Sequence, residues 1–240
     1  MIARLLAAFA VTLIPLAAMA GDPSEARVKE LVLEAIRENP GIVMEAVQIL
    51  EDRQRAAQAD VAQSAPEQNR DRLFNDPNAP VLGNPEGDVT MVEFFDYNCP
   101  YCRRASPNVE ALLQSDANVR LVYREWPILG EGSVFAARAA LAAREQGKYE
   151  RFHRAMMGMN GRAEEASVMR IAREVGLDTE QLRRDMEGSS VQEHIDTSMR
   201  LAQAMGFNGT PSFVIGDEVA PGLLSTEQMT TLVEAARDAN

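Results

Sequence analysis

An α/β domain carrying an all-helical insertion, with a helical extension ahead of it, is the architecture that this 240-residue chain predicts. Three observations carry that expectation. Short apolar runs of strand character occur at 88–96, at 119–126 and again at 213–215. Between about 131 and 205 the pattern is helical with no strand signal, and Gly147, Gly161, Gly176 and Gly188 punctuate it. Ahead of residue 65, apolar residues recur at three- and four-residue spacing on a charged background. The order strand, helix, strand, helical block, strand, turn, helix fits one sheet with helices packed on it.

Residues 1–20 hold one positive charge, Arg4, a mostly apolar run from Leu5 to Leu16, and the small-x-small pattern Ala18-Met19-Ala20. They read as a signal peptide cleaved after Ala20. The run is short for a membrane span and contains Pro15, and no cysteine follows it to carry a lipid anchor.

Asp22-Pro23-Ser24-Glu25 reads as a helix start, with an N-cap residue, proline in the first turn and an acid behind it. Val28, Leu31, Val32, Ala35 and Ile36 then recur helically, and Asn39-Pro40-Gly41 ends the run. A second helical run places Val43, Val47, Leu50, Ala57 and Val61 near a 3-4 seam interrupted by Gln54. Such a narrow stripe cannot be buried by a lone helix. Residues 21–64 are therefore expected to be an oligomerisation extension, with docking onto the chain's own body as the alternative. Residues 65–87, rich in Pro, Asn, Asp and Gly, read as a linker with a short helix and turns.

The main domain is expected over 88–240. Val89, Met91, Val92, Phe94 and Phe95 make a buried strand that stops just before Cys99. A helix from Cys99 to about Leu113 follows, with Pro107 inside it. Val119, Leu121 and Tyr123 then alternate with Arg120 and Arg124 as a strand. The helical block is read as Phe135–Gln146, Tyr149–Met157, Ala166–Val175, Thr179–Met186 and Val191–Met205. Beyond Gly209-Thr210-Pro211 come the strand Phe213-Val214-Ile215, a turn at Gly216-Asp217, and a last helix from Ser225 to Ala236.

The formal net charge is −12, and basic residues such as Arg103, Arg104 and Arg124 lie scattered among acids. No basic stripe exists to meet phosphates, so nucleic acid is not an expected partner. The chain has two cysteines, both in Cys99-Pro100-Tyr101-Cys102. An exported protein stapled by disulfides would hold more of them, so this count favours catalysis. At the first turn of a helix, the leading thiolate gains from unpaired N–H groups and the helix dipole.

The run Phe94 to Cys102, the helical block, and Gly209-Thr210-Pro211-Ser212-Phe213 resemble the DsbA-like branch of the thioredoxin superfamily over residues 75–240. With the extension and Glu38-Asn39-Pro40, the chain is most similar to the ScsC group, periplasmic disulfide isomerases associated with suppression of copper sensitivity. The resemblance implies a thioredoxin fold, with Cys99 as the exposed nucleophile and Cys102 as a more buried resolving thiol. Pro100 and Tyr101 match positions that tune redox behaviour, and no cofactor is needed. Pro211 matches a cis-proline that would present the Thr210 backbone to a substrate peptide. Glu93 matches a buried acid that takes up a proton near the thiols, the alternative being a partly solvated edge residue. Asp96 is expected only to end the strand. Misoxidised or unfolded proteins are the implied substrates, a membrane reductase of the DsbD or ScsB type the implied electron donor, and a homotrimer through the N-terminal helices the implied assembly.

Other readings remain at the level of sequence. A dithiol oxidase would need a DsbB-type partner instead. Cu(I) could bind Cys99 and Cys102, with thioethers from Met156, Met157 and Met159, although those methionines equally suit packing of the insertion. A purely structural disulfide would close too small a loop to stabilise much. His153 and His194 fit no zinc-finger spacing with the cysteines, and His153 reads as structural.

Overall fold

The computed structural model describes residues 24–239, with side chains at 52 and 54–63 outside that description. The signal-peptide reading of residues 1–20 lies outside the described residues. The chain divides into two compact units, residues up to Arg53 and residues from Gln54 on.

In the first unit, α1 spans Glu25–Glu38 and opens at Ser24, whose hydroxyl accepts a hydrogen bond from the Arg27 N–H. The sequence reading placed the start two residues earlier. Asn39 closes α1, and its side-chain oxygen accepts the Gly41 N–H at 3.2 Å as α2, Gly41–Gln68, begins. No residue of α1 is buried. Val28, Leu31, Val32, Leu33, Ile42, Val43, Met44, Val47, Ile49 and Leu50 are between 38% and 68% exposed.

The second unit is built on a five-stranded sheet of order β1-β3-β2-β4-β5. Its strands are β1 Val81–Gly83, β2 Val89–Phe95, β3 Val119–Glu125, β4 Ser212–Ile215 and β5 Glu218–Pro221. Only β2 and β3 pair in parallel, which requires the crossover that α4, Pro100–Ser115, supplies. Both faces of the central strands are buried. Met91, Phe95, Leu121 and Tyr123 enter one core with Val109 and Leu112 of α4, while Val92, Phe94, Val122 and Val214 enter a second.

The first core also takes the helical insertion, α5 Glu131–Ala142, α6 Tyr149–Met157, α7 Glu165–Glu174 and α8 Thr179–Asp185. The second is closed by α3, Arg70–Phe74, through Leu73 and Phe74, and by α9, Ser189–Ala204, through Leu201 and Ala202. The last helix, α10 Thr226–Asp238, starts at a capping box in which Ser225 and Gln228 bond each other's backbone N–H groups. Burial of Cys102, Ala105, Val109 and Leu112 follows the three- and four-residue spacing of one helical face of α4.

The segment read as a linker with a short helix and turns holds that helix, α3, and also supplies the edge strand β1, with Leu73 fully buried. Arg124, which alternates with apolar residues along β3, is fully buried. Its guanidinium meets Asp76 at 2.6 Å and donates to the carbonyl oxygens of Arg72 and Leu73, so a paired cation replaces solvent on that face.

Candidate active site

β2 ends at Phe95, and a tight turn delivers Cys99 to the N-cap of α4 with Pro100 at the first helical position. The Cys99 N–H donates to the Asp96 carbonyl at 3.0 Å, and the Arg103 N–H to the Cys99 carbonyl at 3.2 Å. The Thr210-Pro211 peptide bond is cis. This loop from before β4 brings the Thr210 carbonyl within 3.2 Å of the Cys99 sulfur. Residues 111 positions apart in sequence thus share one site.

The two thiols differ. Hydrogen bonding from the Cys102 thiol, then from the Thr210 side chain and the backbone N–H groups of Cys102 and Tyr101, overrides burial and brings the Cys99 pKa down to about 5. Burial first, then the neighbouring Cys99 sulfur and the Glu93 charge, push the Cys102 thiol far up. Cys99 is 5% exposed and Cys102 fully buried, so the exposure expected of Cys99 is confined to a small window. The Cys99 thiol donates to the Thr210 carbonyl, which lies against the sulfur. Pro100 and Tyr101 are exposed beside it, with the Arg104 guanidinium 5.7 Å from the Tyr101 ring centroid.

Glu93 is 1% exposed on β2, opposite Tyr123 of β3 and Phe213 of β4, so the edge-residue alternative does not hold. Its Oε1 has no hydrogen-bond partner, and burial raises its pKa to about 8. A carboxyl there can exchange a proton near neutral pH, and its negative charge bears on Cys102.

The sequence reading missed how densely the turn before Cys99 is bonded. Asp96 does more than end a strand. Its Oδ1 accepts the Asn98 N–H at 2.7 Å and its Oδ2 accepts the N–H groups of Ile128 and Leu129 at 2.8 and 2.9 Å. Behind it lies a buried network in which Tyr97 and Tyr149 donate to Oε1 of Glu125, while the Tyr97 hydroxyl also sits 3.0 Å from His153 Nδ1. His194 Nε2 accepts the Glu125 N–H, and burial lowers both histidines to about 3. Acids and aromatics at the strand ends were the available signal, but their pairing spans elements distant in sequence. Met156, Met157 and Met159 are at most 8% exposed and lie within the first core, which is the packing reading. The soft sulfur donors of the site itself are Cys99 and Cys102.

A mixed sheet whose central strand leads into a Cys-x-x-Cys helix, with a cis-proline loop against the first thiol, defines a thiol-disulfide oxidoreductase of thioredoxin-like fold. Residues 90–234 match the DSBA-like thioredoxin domain, and the chain belongs to that family. Residues 25–57 match the copper resistance protein ScsC N-terminal domain. A thioredoxin-like oxidoreductase from Silicibacter pomeroyi DSS-3 is 70% identical, with a TM-score of 0.71, covering 72% of this chain and 99% of that one. Proteus mirabilis ScsC in a transitional conformation is 26% identical, with a TM-score of 0.69, covering 90% of this chain and 98% of that one. Among curated relatives, a Na(+)/H(+) antiporter NhaA 3 from Salinispora tropica is 30% identical over 158 residues, 65% of this chain. The chain spans about a quarter of the length of the curated relatives it matches, 24% for that antiporter.

Proposed function

We propose that this chain is an exported, periplasmic disulfide isomerase or reductase in which Cys99 attacks and Cys102 resolves. The observation that carries the reading is the separation of the two thiols, Cys99 held down to about 5 and Cys102 pushed up in the same turn of helix. At neutral pH the Cys99 thiolate attacks one sulfur of a substrate disulfide, forming a mixed disulfide and releasing the other sulfur as a substrate thiolate. If that thiolate attacks a different substrate disulfide and the mixed disulfide is then displaced by a substrate thiol, Cys99 returns reduced and no electrons are consumed. If Cys102 attacks Cys99 instead, the substrate leaves as a dithiol and Cys99–Cys102 becomes the disulfide. The ionised fraction of Glu93, a minority at neutral pH with its carboxyl raised to about 8, takes the Cys102 proton in that step, and the Thr210-Pro211 loop offers backbone to the substrate peptide. Pro100 and Tyr101 tune the Cys99 thiolate from the first turn of α4.

Isomerase work needs Cys99 kept reduced, and a membrane reductase of the DsbD or ScsB type would do this. The residue 1–20 pattern supports export, and the match of residues 25–57 to the ScsC N-terminal domain supports assembly through α1 and α2, as a homotrimer by resemblance. Several dithiols on one assembly hold a misfolded chain while its sulfurs exchange. Two measurements test this reading. Thiol trapping in cells should find the pair mostly reduced, and a mostly oxidised pair would mean a DsbA-type oxidase fed by a DsbB-type partner. Refolding of a scrambled-disulfide substrate should disappear in Cys99→Ala, and retained activity would refute the thiol mechanism.

A further inference from the structure

We propose that Asn98 is a positioning residue for the dithiol: its side-chain amide clamps the turn before Cys99 to the helical insertion and so holds the Cys99 sulfur at the helix end. This inference rests on the reading of Cys99 as the attacking thiolate. Asn98 Oδ1 accepts the Ala163 N–H at 2.7 Å, and Asn98 Nδ2 donates to the Ala163 carbonyl at 3.1 Å and to Ser133 Oγ at 3.1 Å. One amide therefore pairs with both backbone groups of Ala163, as a neighbouring strand would, and also reaches α5. Asn98 is half-buried, while its partners Ala163 and Ser133 are 0% and 1% exposed, so losing the Asn98 amide leaves buried groups of those partners unsatisfied.

The clamp has a second arm. Arg103, one turn into α4, donates from Nε to the Tyr97 carbonyl at 3.0 Å and from Nη1 to the carbonyls of Met159 and Gly161 at 3.2 and 2.7 Å. On the far side of the junction, a Cβ on Gly132 would stand 2.1 Å from the Ala163 carbonyl oxygen, so α5 and the Ala163 backbone meet with no room between them. The turn from Asp96 to Cys99 thus touches the insertion through side chains that bond its backbone, and Asn98 is the residue adjacent to the reacting sulfur. Thiolate stabilisation depends on where that sulfur sits relative to the Tyr101 and Cys102 N–H groups, the Cys102 thiol and the Thr210 side chain, with the Arg103 guanidinium close by. Release of the clamp lets the turn move and weakens all of these together.

The test follows alkylation of the Cys99 peptide by iodoacetamide against pH in the reduced full chain, read by mass spectrometry, beside thermal melting. Asn98→Ala should raise the Cys99 midpoint by about one pH unit, a tenfold loss of thiolate well below it. Ser133→Ala, which removes one bond of three, should move it the same way by less. Asp178→Ala, which removes the side-chain cap of α8 and bonds none of the clamp residues, should lower the melting temperature and leave the midpoint alone. An unchanged midpoint in folded Asn98→Ala, or an equal shift in Asp178→Ala, overturns the inference. If Asn98→Ala does not fold, Ser133→Ala decides, and no shift there overturns it. Should wild-type Cys99 titrate like an ordinary thiol, the reading of Cys99 fails on its own account, separately from the role of Asn98.

Discussion

Glu93 carries the sharpest consequence at the scale of a residue. Its carboxyl ordinarily titrates at 4.5 and burial raises it to about 8, so the folded chain binds a proton that the unfolded chain has already lost. The Glu93 contribution to stability is therefore fully favourable below 4.5 and declines as pH rises toward 8. Glu93→Gln should remove that decline, raising unfolding free energy at pH 8 by about 3 kcal/mol relative to pH 5 in parallel urea titrations. The same variant should slow resolution of a trapped Cys99 mixed disulfide while leaving the Cys99 alkylation rate near that of wild type. Equal slowing of both steps would refute a proton-transfer role. His153 and His194 act in the opposite window, since burial holds them at about 3 and their contribution is lost as pH falls below 6.5. Glu93 was legible in sequence through its match to a buried acid of the DsbA-like family, since strand alternation alone allowed a partly solvated edge residue. Its lack of a partner was not, since that depends on what β3 and β4 leave beside it.

At the scale of elements, what could be read depended on how long each pattern ran. β2, β3 and the insertion helices persist for seven residues or more and impose their own period. The edge strands β1 and β5 span three and four residues among turn formers, and pairing with β3 and β4 is what makes them strands. Arg124 shows the same limit, because alternation marks a strand face but does not say whether water or Asp76 lies beyond it. Gly132 has no visible signal in sequence at all. Its necessity arises where α5 meets the Ala163 backbone, and Gly132→Ala must push a carbonyl aside. That variant should lose about 2 kcal/mol of stability in denaturant unfolding. A loss below a few tenths would mean that the insertion yields there easily.

For the whole molecule, the decisive fact is apolar surface that the first unit leaves open. Ten of its large apolar residues from Val28 to Leu50 are each at least 38% exposed, Ile36 alone being half-buried, on two helices in which α1 buries nothing. Contiguous apolar surface of this kind marks an interaction site, and a 3-4 seam suits another copy of the same helices. The sequence displayed this stripe plainly, because helical spacing survives without any tertiary partner; the number of copies is not written in it. A charged residue at an already exposed position costs an isolated chain little, usually within about 0.5 kcal/mol. Leu31→Glu combined with Val47→Glu should therefore leave melting of the oxidoreductase domain unchanged while abolishing assembly. Sedimentation of the wild-type full chain should give an oligomer, and the double variant a monomer that still reduces insulin disulfides but refolds a scrambled substrate several-fold more slowly. If the variant sediments as wild type, the open stripe is not the assembly surface. If it becomes monomeric with unimpaired refolding, joining several dithiols contributes nothing to isomerisation, and a reductase acting one chain at a time becomes the better description.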